Sequence, residues 1–315
     1  NKVGDREVDT YIHDDNDTRI TKLSAKIYDA FGKEIKKYSK NKFLDVSAVD
    51  GGTLYSDSRV KYVDYTPTSY PYTVVFESEH KTSSTGFIPK WYPLESFYVS
   101  IEKSEFKVYN IKNLDIRTKE KNFKDFSIKK VENSSAQIHY IMENEPAIKY
   151  ESSSLSFVDL MPSLLVATNQ FSLKKIRGKA TNWEEFGKWR YNYLNNGKDV
   201  LSESIKKKAI GLVMNAKSDI EKTKIIYQYV QDKTRYISVQ EGIGGWKPIP
   251  ANEVDRVGYG DCKGLTNYTK ALLDAVGVKS NYCVIWAGSN KKDVEKDFFS
   301  MQGNHVILNI PNNGD

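Results

Sequence analysis

The stretch that most constrains this chain is Gly258-Tyr259-Gly260-Asp261-Cys262-Lys263, because a helical pattern follows it without a break. Leu265, Tyr268, Leu272 and Ala275 recur at spacings of three and four, and Gly277 is a natural stop. Asp261 can accept hydrogen bonds from the first free backbone N–H groups, so it reads as the N-cap. Cys262 then falls in the first turn, where a thiolate gains from the helix dipole and from amide donors that have no partner of their own. The flanking glycines, lacking Cβ, leave room for a substrate backbone to pass close to the sulfur. Cys262 is therefore the candidate nucleophile, whereas an isolated cysteine reads more simply as a small core residue. Cys283, inside the apolar run Tyr282–Trp286, reads as core packing.

A nucleophilic thiol needs a base, and His305 is the histidine of the C-terminal half. It opens the apolar run Val306, Ile307, Leu308 and Ile310, which reads as a strand able to hold an imidazole rigidly beside the start of the cysteine helix. At these residues the sequence resembles the transglutaminase-like superfamily. The resemblance rests on Gly-Asp-Cys with a following lysine, the helix ending in Ala275-Val276-Gly277-Val278, the strand Tyr282–Trp286 and Asn304-His305-Val306, and it covers roughly residues 180 to 315. It implies a papain-like α+β core and acyl transfer through a thioester, with Cys262 as nucleophile and His305 as base. It also implies an acid that orients the histidine from the next strand. Asn312-Asn313-Gly314-Asp315 reads as a hairpin turn, so that acid is expected beyond residue 315 and the core is expected to be truncated at its C-terminal end.

Upstream, residues 1 to about 175 show strand alternation rather than helical period. Val60 and Tyr62, Val74 and Phe76, Phe97, Val99 and Ile101, Phe126 and Ile128, and Ile138, Tyr140 and Met142 each alternate with polar neighbours. Turn-rich segments such as Asp50-Gly51-Gly52 separate them, which predicts an all-β antiparallel sandwich. The layout, with Asp159-Leu160-Met161-Pro162 inside Leu155 to Thr168, resembles a domain of unknown function that precedes transglutaminase-like domains in bacterial proteins. Phe87, Trp91, Tyr92, Phe97 and Tyr98, interleaved with Pro89 and Pro93, form either an aromatic cap on that core or an exposed docking surface. His13, His80 and His139 lack metal-ligand spacing and read as surface residues.

Lys174, Lys175, Arg177, Gly178 and Lys179 interrupt the apolar pattern, which sets the expected domains at 1–177 and 178–315. Thr181 and Glu184 then form a capping box before a helix carrying Trp183, Phe186 and Tyr193. Further helices are expected from Leu201 to Met214 and from Ser218, the latter burying Ile220, Ile226, Tyr227 and Val230. A strand from Arg235 to Val239 leads to Gln240 and the glycine-rich loop before Trp246. No P-loop lysine follows that loop, which excludes phosphate cradling of that kind. Gln240 is the candidate oxyanion donor and Trp246 the candidate wall of the acyl site. The lysine-rich segment Trp286 to Gly303 reads as a solvated loop bordering the cleft.

The remaining bounds are negative. The 47 basic and 41 acidic side chains are dispersed and no Arg-rich block occurs, so nucleic-acid binding is not expected. No apolar run has the length of a membrane span. No metal-ligand spacing or EF-hand-like run occurs, so neither metal nor cofactor is expected. Residue 1 is Asn, a trimmed export signal is expected, and the resemblance implies a periplasmic or otherwise exported protein. Two functions stand: a thiol peptidase, amidase or protein-glutamine acyltransferase acting on peptide or protein amides, and a non-catalytic scaffold that uses the core and the β-sandwich, through which a protein partner would dock.

Overall fold

The computed structural model describes residues 8–13, 17–48, 53–288 and 292–311, and for 8–13, 53–55 and 239 it describes the backbone alone. By packing the chain forms two compact units, each assembled from separated segments. The first comprises 1–83, 191–284 and 305–315, and the second 84–190 and 285–304. The expected boundary at 177/178 divides the sequence once, whereas the chain passes between the units several times. Asp50-Gly51-Gly52 and Asn312 to Asp315, both read as turns, lie outside the described residues.

Antiparallel sheets occur in both units, with helices concentrated in the C-terminal part of the chain. In the first unit the strand Thr18–Tyr28 lies between Glu34–Ser39 and Thr73–Thr82. Its buried residues are Ile20, Leu23, Ala25 and Ile27, and the odd spacing between Ile20 and Leu23 needs a register shift. A bulge at Ile20/Lys22 supplies it, returning all four side chains to one face. Beside this sheet core the unit has a helical core. Asp219–Lys233 is capped by Ser218, whose hydroxyl accepts from the Glu221 N–H while the Glu221 carboxylate accepts from Lys217 N. That helix buries Ile226 and Val230, but Ile220 and Tyr227 are exposed, so its apolar stripe is narrower than expected. Glu203–Leu212, capped by Ser202, packs alongside.

The second unit takes its main sheet from Ile101–Tyr109, Ile128–Asn133 and Gln137–Glu145. Ile138, Tyr140 and Met142 alternate into its core as the sequence pattern requires. Trp91 joins that core, pairing as an isolated bridge with Leu164 and stacking on Phe106, while Phe87, Tyr92 and Tyr98 stay exposed. The aromatic segment is thus divided between the two readings given for it. His139 departs from its surface assignment. Its side chain is only 12% exposed and bonds Glu105 at 2.8 Å, one diagonal step away on the neighbouring strand. His80 is exposed, and of His13 only the backbone is described.

The helix Trp183–Arg190 starts one residue later than the capping box predicted. Asn182 Oδ1 accepts from Glu185 N, and the Glu185 carboxylate accepts from Thr181 N, so Asn182 caps the helix while Glu185 reaches back one residue further, to Thr181. Trp189 and Phe186 close on Phe171, whose ring occupies the space above Gly178. Of the segment Trp286 to Gly303, the described residues 292–303 are not a solvated loop. Phe298, Phe299 and Met301 are buried, Arg117 stacks on the Phe299 ring and donates to its carbonyl at 2.8 Å, and Glu295 pairs with Lys119 and Lys121.

A Cβ on Gly178 would come within 2.4 Å of the Phe171 ring and 2.8 Å of Trp189, whereas one on Gly187, inside the helix, meets nothing within 4 Å. Urea unfolding should therefore show Gly178→Ala destabilised by about 1–3 kcal/mol through overpacking, and Gly187→Ala unchanged or stabilised by about 0.5–1 kcal/mol.

Candidate active site

The site belongs to the first unit and is built around the helix Cys262–Ala275, which buries nine of its residues. Tyr268, Leu272 and Leu273 are fully enclosed by the helical core, together with Ile226, Val230 and Val254. The helix begins as the sequence predicts. Asp261 is extended, and its Oδ1 accepts from Gly264 N at 2.9 Å. Its other oxygen pairs with Lys263, and both side chains are buried, at 2% and 4% exposure. The helix ends at Gly277, whose φ of +77° is left-handed and whose N–H donates to the Asp274 carbonyl.

The two flanking glycines serve the local fold. Gly258 has φ +70° and terminates the helix Ala251–Val257. Gly260 is buried with its open side against Leu265, 3.4 Å from where a Cβ would stand. The segment Tyr259–Gly260 pairs in parallel with Arg235–Tyr236, and Ile237 N donates to the Gly260 carbonyl at 3.0 Å. This ladder sets Tyr236 beside the helix start. The Tyr236 phenol is a neighbour of Cys262, and burial followed by that cysteine pushes its pKa up to about 12. At neutral pH it remains protonated. The sequence pattern placed Tyr236 inside one strand from Arg235 to Val239 without a role, whereas the structure has two short strands there, Arg235–Tyr236 and Ser238–Gln240.

Cys262 is free and 9% exposed. His305 opens the strand His305–Asn309, which pairs with Asn281–Ile285 and packs on the cysteine helix, with Thr266 Oγ1 3.4 Å from the Val306 carbonyl. The elements carrying thiol and imidazole are therefore in contact. Among the described residues there is no hydrogen bond between Cys262 and the His305 ring, and none from that ring to a carboxylate. Gln240 ends the strand Ser238–Gln240 and its amide donates to Ser238 Oγ at 3.0 Å. Trp246 follows the 3-10 turn Gly242–Gly245, half-buried. Cys283 is also half-buried and contacts the Asn281 carbonyl at 3.6 Å, so it is less enclosed than the core position expected for it. Among the described residues no group of three or more His, Cys, Asp or Glu side chains could hold a metal ion, and no helix is long and apolar enough to cross a membrane.

Asp261→Ala should cost about 3–5 kcal/mol in chemical denaturation, because it strips the cap and leaves the Lys263 ammonium buried without a counter-charge. Adding Lys263→Met to that variant should restore part of the loss.

Comparison with known proteins bears on the fold. A family model described as a domain of unknown function with a solved structure, DUF3857, matches residues 10–149. No curated protein matches. The fold is similar to the crystal structure of a "putative protease" from Parabacteroides distasonis ATCC 8503, with a TM-score of 0.64 at 15% sequence identity. The likeness covers 95% of this chain and 56% of that protein, so the chain spans little more than half of its length. It is the β-rich architecture with C-terminal helices that the two share.

Proposed function

We propose that this protein performs thiol-dependent acyl transfer on peptide-like amides through Cys262 and His305, on a transglutaminase-like core. The observation that carries the reading is local: a cysteine at the start of a helix capped by Asp261, on a helix packed against the strand that begins with histidine. The fold likeness to a protein described as a protease supports the peptidase form of it.

In the proposed reaction His305 takes the proton of Cys262, and the thiolate attacks the amide carbonyl carbon. The oxygen gains the negative charge and is held by the N–H of Cys262, with Gln240 as a second donor once its amide turns from Ser238. The C–N bond then breaks, the leaving amine receives the proton from the imidazolium, and a thioester remains. Water or a second amine attacks that thioester, which distinguishes peptidase or amidase from protein-glutamine acyltransferase. Thiol and imidazole need to close to hydrogen-bonding range in the substrate complex, a tightening that ligand-free sites commonly undergo. Trp246 would line the acyl channel, and the N-terminal β domain would dock a protein partner in an exported setting.

The second reading is a non-catalytic scaffold. It is favoured by the burial of Cys262, which is 9% exposed, and by Tyr236 as its neighbour. Alkylation separates the two. Cys283 is the more accessible thiol, so a Cys262 that reacts about tenfold faster with iodoacetamide at pH 7 has to be activated rather than merely exposed. His305→Gln should remove the excess rate, and Tyr236→Phe should raise it by opening the sulfur. Slower labelling of Cys262 than of Cys283, unchanged by His305→Gln, would leave the scaffold reading.

A further inference from the structure

The second unit contains a cleft of about 230 Å³, lined in part by Lys90, Tyr92, Lys121, Ser163, Trp286 and Lys292. Its hydrogen-bonding groups do not balance. Three carboxylates also line it, and two of them are engaged: Glu295 is shared between Lys119 and Lys121, and Asp159 accepts from the Ser156 hydroxyl at 2.5 Å. The third, Asp293, is exposed to solvent. Among the described residues Lys90 has no carboxylate partner. Burial, and then the positive charges of Lys292 and Lys121, hold its ammonium below the usual lysine range despite an opposing pull from Glu295. Lys292 lies over the Trp286 ring at 4.5 Å and is held down by burial and then Lys121, against opposing pulls from Glu295 and Asp159.

Further donors face the lining. Ser163, 4% exposed, adds a hydroxyl. The Trp286 indole N–H is buried without an acceptor. The Tyr92 hydroxyl is kept protonated by burial and by Glu295, so it too is a donor. Two ammoniums that repel one another, with hydroxyl and indole donors around them, are costly to collect in a partly dry cleft unless a negative acceptor joins them. We infer that this cleft binds a small oxyanion, a carboxylate or phosphate group, between Lys90 and Lys292. Charge-assisted bonds from both ammoniums would hold it, and Trp286 would form the wall against which the rest of the ligand lies. The site is independent of the Cys262 chemistry and stands whether or not that chemistry occurs.

The test is calorimetric titration of the full chain at low ionic strength, with inorganic phosphate and with N-acetylglycine as separate probes. Saturable binding of either is expected, weakened about tenfold by Lys90→Met and by Lys292→Met and unchanged by Lys207→Met at an exposed helix position. Binding of phosphate alone assigns the ligand to phosphate-bearing compounds, and binding of N-acetylglycine alone to carboxylates. Lys90→Met removes a charge that lacks a partner, so its thermal midpoint without added anion should match or exceed that of the parent, which separates lost binding from lost fold. Failure of both probes to saturate, or equal affinity in the parent and both lysine variants, would overturn the site.

Discussion

One carboxylate holds the start of the central helix. Asp261 caps that helix through one oxygen and neutralises the buried Lys263 through the other. Either duty alone is common, but together they fix both the direction in which the helix leaves the strand ladder and the rotation at which it does so. Rotation matters because Tyr268, Leu272 and Leu273 have no exposed alternative. A helix enclosed on so many sides cannot turn about its axis without burying polar groups that have no partners. The orientation of Cys262, one residue after Asp261, follows from that enclosure.

The parts of this arrangement that were legible in the sequence are those governed by short-range rules. The caps at Asp261 and Ser218, the stop at Gly277 and the alternation of Ile138, Tyr140 and Met142 each depend on residues within a few positions of one another. What escaped is set by partners far along the chain. The bulge that reconciles Ile20 with Leu23 exists because Thr73–Thr82 pairs on one side of that strand. His139 is enclosed because Glu105 stands diagonally across a ladder. Tyr236 reaches Cys262 only through a parallel pairing two residues long.

The described residues 292–303 of the segment Trp286 to Gly303 show how composition misleads. Its charges suggested a solvated loop, but charge predicts exposure only when no complementary charge awaits it. Here Glu295 meets two lysines of the strand Ile116–Lys121, and Arg117 of the same strand covers the Phe298 and Phe299 rings. That strand presents a row of cations, and the acidic and aromatic residues of 295–299 answer it. The adjacent Phe298-Phe299 pair was the available clue, because two consecutive large apolar residues in a polar stretch need somewhere dry to go. The same strand supplies Lys121 to the lysine-lined cleft, so the pairing that docks the segment also helps consume the negative charge of that cleft.

The position of Tyr236 links structure to the chemistry proposed for Cys262. In the acyl-transfer reading a substrate carbonyl has to come close to the Cys262 N–H, and the Tyr236 phenol is a polar group already neighbouring that residue. Entry then requires the phenol to give way, at a cost set by how far the short strand Arg235–Tyr236 or its side chain has to move. That strand is tied to Tyr259–Gly260 by backbone bonds, yet half of the Tyr236 side chain is open to solvent. A side-chain rotation is accordingly the smaller movement, and it leaves the ladder that positions Cys262 intact.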